Sequence, residues 1–63
     1  MTWYRMYLVD SGGRIESALN LEADGDASAV VTARRNFGAS GAPAFELWQG
    51  NRLVHKEVRA SAE

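Results

Sequence analysis

The segment FELWQGNRLVHKEV, residues 45–58, decides the fold of this chain. Apolar and polar residues alternate on both sides of Gly50 and Asn51, which predicts two strands joined by a two-residue turn. If Phe45 and Leu47 face a core, Trp48 points away from it, because successive side chains of a strand lie on opposite faces. The predicted pairs are Gln49 with Arg52, Trp48 with Leu53, Leu47 with Val54, Glu46 with His55 and Phe45 with Lys56, and the core-facing residues are Phe45, Leu47, Val54 and Val58.

A similar hairpin is predicted at the start of the chain. TWYRMYLVD (2–10) and RIESALNLE (14–22) are rich in aromatic, aliphatic and β-branched residues and flank the turn residues Ser11, Gly12 and Gly13. A two-residue turn at Ser11 and Gly12 would pair Leu8 with Ile15, Met6 with Ser17, Tyr4 with Leu19 and Thr2 with Leu21. This register produces one apolar face and leaves Trp3, Tyr7 and Val9 on the other.

Between the hairpins, the pattern of LEADGDASAVVTARRNFG (21–38) predicts a helix from about Ala27 to Phe37. Asp24 or Asp26 is expected to cap its first amides, and Gly38 is expected to end it in a left-handed conformation. Val30, Ala33 and Phe37 form its apolar stripe, and Arg34 and Arg35 are expected near its negative end. GASGAPA (38–44) is then a loop, with Pro43 at the entry to the next strand.

These elements predict an α+β fold of ββαββ order: a four-stranded, mainly antiparallel sheet with one helix packed on one face. Sixty-three residues make a single small domain, 1–63, near the size at which oligomerisation commonly supplements the core. The chain has no cysteine, which excludes disulfides and thiolate metal sites. It has neither a signal-like start nor an 18-residue apolar run, so we expect a cytoplasmic protein with no membrane contact.

The predicted helix leaves the second face of the sheet uncovered. Antiparallel sheets often expose one face, but here both tryptophans and several apolar residues fall on the same side. Because large contiguous apolar patches are rare on monomers, this face is interpreted as an association surface. Its predicted interface residues are Trp3, Arg5, Tyr7, Val9, Glu16, Trp48 and Leu53.

The charges on that face favour a protein partner over a nucleic acid. Three arginines (Arg5, Arg14, Arg59) are expected there against three glutamates (Glu16, Glu46, Glu57), and the whole chain has a net charge of -1. Single-stranded nucleic acids are bound by aromatics set among excess positive charge. Balanced charge instead suits a self-complementary contact between two copies. A nucleic-acid-binding regulator using Arg5, Arg14, Trp3, Tyr7 and Trp48 is the alternative.

No catalytic, cofactor-binding or metal-binding site is predicted. Glu22, Asp24 and Asp26 alternate like calcium ligands, but an EF-hand loop begun at Glu22 requires an acid where the chain has Ala33. His55 is expected to face Glu46 across the hairpin as an ordinary cross-strand pair, with no nucleophile beside it. GASGAPA lacks the lysine and following helix of a phosphate loop, and Arg34 and Arg35 suit the helix dipole better than a phosphate.

The segments YRMYLVD, GRI, LEADGDASA and above all ELWQGNRLV resemble a group of short alphaproteobacterial proteins whose chains end in a Glu-Leu-Trp-Gln-Gly-x-Arg-x-Val pattern. The similarity spans most of residues 4–54 and departs from the group at 38–44, where this chain is longer. The resemblance implies a bacterial, stand-alone small domain. It implies no activity and no site residues, since the group has no assigned activity.

From these observations we expect a non-enzymatic interaction protein that forms a homodimer through the aromatic-rich face, with a further protein partner of unknown identity. A small enzyme is the least favoured class, because so short a chain with one histidine leaves little room to enclose a pocket.

Overall fold

The computed structural model describes residues 2–59, which form a four-stranded antiparallel sheet with one helix on one face. The elements are β1 (Thr2–Val9), β2 (Ile15–Ala23), α1 (Asp26–Ser40), β3 (Ala44–Gln49) and β4 (Arg52–Val58). The strand order is β2-β1-β3-β4, so β1 and β3 are central. The predicted α+β fold of ββαββ order is confirmed. Residues 1 and 60–63, the ends of the predicted domain, lie outside the described residues.

The core lies between α1 and one face of the sheet. Ala29, Ala33 and Phe37 recur at every fourth position of α1, and all three are buried. The two alanines present little side-chain volume to the sheet, and Phe37 supplies the large apolar group of this stripe. Phe45, Met6 and Leu47 on the central strands are completely buried beneath the helix. The predicted apolar stripe of Val30, Ala33 and Phe37 is confirmed, with Val30 only partly buried. None of residues 2–59 belongs to a helix long and apolar enough to cross a membrane.

Both ends of the helix differ from the prediction. The residue before the helix is Gly25, which has no side chain to cap it, and Asp26 is already the first helical residue. The helix continues through Gly38 and ends at Ser40, followed by Gly41 in a left-handed conformation with φ 78°. Asp24 and Asp26 therefore do not cap the helix, Gly38 does not end it, and the predicted loop 38–44 shortens to 41–43.

The carboxyl end of the helix is closed by a distant residue. Arg59 donates from Nη2 to the Phe37 carbonyl at 2.9 Å and from Nε to the Ala42 carbonyl at 3.1 Å. Its guanidinium also lies 4.4 Å from the centre of the Phe37 ring. The last turn itself contains no basic residue, so the prediction that Arg34 and Arg35 serve this end is wrong. Arg59 supplies the cation instead.

The first hairpin has a longer connection than predicted. Asp10 organises a loop over residues 10–14: its Oδ1 accepts from the amides of Gly12 and Arg14, each at 2.9 Å. The strands pair two residues further along than expected, with Leu8 opposite Ser17, Met6 opposite Leu19 and Tyr4 opposite Leu21. A shift of two residues preserves the buried face. The register then shifts by one residue, so that Glu16 of β2 has no partner on β1. Ile15 is therefore opposite Val9, on the face of the sheet that the helix does not cover.

The second hairpin turns at Gly50 and Asn51, as predicted, with Gly50 at φ 62°. Trp48 is opposite Leu53 and Gln49 is opposite Arg52, also as predicted. A bulge at Val54 then shifts the register by one residue, so that His55 is opposite Leu47 and Val58 is opposite Ala44. The predicted pairs of Leu47 with Val54, Glu46 with His55 and Phe45 with Lys56 are wrong, and Val58 does not face the helix.

Candidate interaction surface

The face of the sheet opposite α1 is the candidate functional surface, here called the open face. It carries the side chains that alternate with the buried ones, and within residues 2–59 the helix packs only against the other side of the sheet. By strand, its residues are Trp3, Arg5, Tyr7 and Val9 of β1; Ile15, Ala18, Asn20 and Glu22 of β2; Ala44, Glu46 and Trp48 of β3; and Leu53, Lys56 and Val58 of β4.

The pairing arranges the open face in rows across the four strands. The row nearest the β1–β2 loop is entirely apolar, and its members from β2 to β4 are Ile15, Val9, Ala44 and Val58. The middle row is mixed: Ala18, Tyr7, Glu46 and Lys56. The third row is Asn20, Arg5, Trp48 and Leu53, and beyond it Trp3 is opposite Glu22. Apolar groups thus lie at both ends of the face, with polar side chains between them.

Exposure is concentrated on this face. Among residues 2–59, six large hydrophobic side chains are exposed, and four of them belong to the open face: Trp3 (62%), Ile15 (61%), Leu53 (46%) and Val58 (66%). The other two, Leu19 and Val31, lie on the helix side of β2 and on the helix. Scattered exposed apolar residues are ordinary, but a set of this size on one face is typical of an interaction surface.

Trp48 is held within this surface by neighbouring polar groups. Its Nε1 donates to Glu46 Oε1 at 3.0 Å, and its neighbours across the sheet are Arg5 and Leu53. The Arg5 guanidinium lies 6.0 Å from the centre of the Tyr7 ring. The indole is therefore half-buried, with its polar edge satisfied by Glu46 and with Leu53 as its apolar neighbour across the sheet.

The charge on the open face is balanced, although its members differ from those predicted. On this side of the sheet the positive side chains are Arg5 and Lys56, and the negative ones are Glu22 and Glu46. The bulge at Val54 moves Glu57 to the helix side, where Arg34 Nε lies 3.1 Å from its Oε1. Arg59 contacts Phe37 on that side as well, and Arg14 belongs to the β1–β2 loop. Glu57 and Arg59 were therefore assigned to the wrong face.

Six of the seven predicted interface residues share the open face: Trp3, Arg5, Tyr7, Val9, Trp48 and Leu53. The seventh, Glu16, is skipped in the pairing and has no partner across β1. Sequence reasoning missed Ile15, Ala44 and Val58. Two of these reach the face only through register irregularities in the hairpins, and regular alternation in the sequence carries no signal for such irregularities.

A shallow groove of about 300 Å³ lies at the apolar end of the open face. The β1–β2 loop forms one wall with Asp10, Ser11 and Gly13, and the floor is formed by Val9, Pro43, Ala44 and Val58, with Glu46 and Lys56 at one side. Its size is at the lower limit for a small-molecule site. Its floor includes Val9, Ala44 and Val58, which are three of the four residues in the apolar row of the open face.

On the helix side, Asp26 joins the start of α1 to two strands. Tyr4 Oη donates to Asp26 Oδ1 at 2.8 Å, and Arg52 approaches both carboxylate oxygens, at 3.1 and 3.2 Å. The hydrogen bonds from Arg52 and Tyr4 hold the pKa of Asp26 below its usual value. The same carboxylate raises the pKa of Tyr4, because ionising the phenol would break the hydrogen bond and set two negative charges together. This network stabilises the fold, since it ties β1 and β4 to the helix start.

His55 also lies on the helix side, at the edge of the core. Its ring centre is 5.8 Å from that of Phe45, and Nε2 lies 3.2 Å from Glu57 Oε1. Glu57 also forms an ion pair with Arg34, so the three side chains form one surface cluster. The predicted contact of His55 with Glu46 is therefore wrong. Within residues 2–59, no group of three or more histidine or acidic side chains is arranged to hold a metal ion.

Comparison of the chain with protein-family models, curated proteins and solved structures finds no match.

Proposed function

We propose that this chain is a cytoplasmic, non-enzymatic interaction protein that forms a homodimer through the open face of its sheet. The observation that supports this most strongly is the grouping of Trp3, Ile15, Leu53 and Val58, all more than two-fifths exposed, on the face that the helix leaves uncovered. Burying such side chains against a partner removes apolar area from water, which is the main favourable contribution to association.

The charges support a protein partner. The open face has two positive side chains, Arg5 and Lys56, and two negative ones, Glu22 and Glu46. It therefore has no excess positive charge to attract phosphates. In a contact between identical copies, each positive side chain can instead meet a negative one of the twin. The nucleic-acid alternative would use the aromatic side chains Trp3, Tyr7 and Trp48 as a stacking platform with Arg5 beside them.

The test is to replace Trp48 by glutamate and to measure mass by light scattering at roughly 0.1 mM, a concentration at which a micromolar dimer is mostly associated. Trp48→Glu should be monomeric where the wild type is dimeric, because a carboxylate buried in the contact loses its hydration, at a cost of several kcal/mol. In the monomer the new carboxylate faces Arg5 across the sheet, so circular dichroism should show the fold retained.

Two further variants control this experiment. Leu53→Glu changes an exposed residue of the same face and should also give a monomer. Val31→Glu adds the same charge at a 57% exposed position of the helix and should remain dimeric. A monomeric wild type, or dimers in all three variants, would contradict the proposal. Saturable quenching of tryptophan fluorescence by mixed-sequence single-stranded oligonucleotides, weakened steeply by salt, would favour the nucleic-acid alternative.

A further inference from the structure

The rows of the open face carry information about how a second copy would lie on it. Two identical sheets that pack face to face with their strands aligned are related by a two-fold axis lying between them, and this axis runs either along the strands or across them. Each choice brings different rows and strands together. The register of the sheet therefore allows the two arrangements to be compared residue by residue.

An axis across the strands, along the middle row, stacks each strand on its own copy in reverse. Glu46 of one copy then lies over Glu46 of the other, and Lys56 lies over Lys56. Like charges brought together in a contact that excludes water oppose association.

An axis along the strands, between β1 and β3, exchanges the two halves of the sheet and keeps each row over itself. Arg5 then lies over Trp48 of the second copy, where a guanidinium can stack on the indole. Tyr7 lies over Glu46, a hydrogen-bond donor over an acceptor. In the row nearest the loop, Val9 meets Ala44 and Ile15 meets Val58, so the whole row is apolar on both sides.

We infer that a second copy of this chain packs on the open face about a two-fold axis parallel to the strands, with Ile15 of each copy entering the groove beside Val58 of the other. This inference rests on the proposed homodimer and adds its geometry. Ile15 and Val58 are 61% and 66% exposed, and Val58 forms part of the groove floor. From the strand spacing and rise, the face measures roughly 500 Å² per copy, or about 1,000 Å² for the pair, which is the smallest area expected of a biological interface.

The arrangement is tested by cysteine cross-linking, since the chain has no cysteine of its own. The double variant Ile15→Cys, Val58→Cys should form covalent dimers under mild oxidation with diamide, seen on a non-reducing gel. Within one chain β2 and β4 are separated by two strands, about 14 Å in all, which is too far for an internal disulfide. Each single variant should remain uncross-linked, because the two copies of Ile15 lie at opposite edges, as do those of Val58.

The comparison variant is Ile15→Cys, Asn20→Cys, which pairs across the interface only if the axis runs across the strands. Covalent dimers of the first double variant, with none of the second, support the inferred axis. Covalent dimers of the second alone, or of neither while light scattering shows a dimer, overturn the axis and leave the proposed homodimer standing. A wild type that is monomeric by light scattering overturns both. Circular dichroism of each variant confirms that the fold is present.

Discussion

Replacing Gly38 and Gly41 one at a time by alanine tests where the helix ends. Gly38 lies inside the helix, and a β-carbon built there meets no atom within 4 Å. Alanine at this position should therefore stabilise the fold by about 0.5–1 kcal/mol, because glycine loses more backbone freedom on folding. Gly41 has φ 78°, a left-handed conformation that alanine adopts only at a cost of about 1–2 kcal/mol.

The two variants should thus shift stability in opposite directions. With a urea dependence of roughly 1 kcal/mol per molar for so small a protein, the unfolding midpoint should rise by about 0.5–1 M for Gly38→Ala and fall by about 1–2 M for Gly41→Ala. Both midpoints can be followed by circular dichroism in the helix band, with the slope of the transition checked for constancy.

The sequence pattern alone predicts a different result, since it places the left-handed residue at Gly38. A lowered midpoint for Gly38→Ala together with an unchanged one for Gly41→Ala would show that the helix stops at Phe37.

Two further predictions concern stability. Leu47→Ala should lower the free energy of unfolding by about 2–5 kcal/mol, because Leu47 has no exposed surface and its truncation leaves a cavity. This variant should be largely unfolded at room temperature. The control Leu53→Ala, at a 46% exposed position, should melt near the wild type. Cooperative melting of Leu47→Ala close to the wild type would show that the faces are reversed. The pKa of Asp26 is lower in the folded state than its usual 3.8, so its contribution to stability is present above that pH and is lost as the pH falls through the folded-state value. The difference in urea midpoint between wild type and Asp26→Asn should therefore be clear at pH 7 and should shrink toward pH 3; a constant difference would contradict this role of Asp26.

The sequence determined the kinds of elements and their order. Alternation around Gly50 and Asn51, apolar strands around residues 11–13 and a short stripe ending at Phe37 were enough to predict ββαββ. They were also enough to place Trp3, Tyr7, Val9, Trp48 and Leu53 on one face. These features are local, since the two-residue period of a strand and the turn preference of glycine depend on neighbouring residues only.

The strand order, both register irregularities and the true end of the helix were decided by the tertiary structure. The bulge at Val54 places His55 and Glu57 on the helix side, where Phe45 and Arg34 contact them. The skip at Glu16 brings Ile15 opposite Val9 and so completes the apolar row of the open face. α1 extends past Gly38 to Ser40, and Arg59, 22 residues after Phe37, binds the Phe37 carbonyl in its last turn.

In these cases packing between elements selects among local conformations of similar free energy. A bulge or one additional helical turn changes few local contacts, so the free energy of local structure barely distinguishes it from the regular alternative. The contacts that do distinguish them form only when helix and sheet pack together. Local periodicity therefore predicts the type of each element and the face on which its side chains lie. Strand register and helix ends depend on packing between segments distant in the chain.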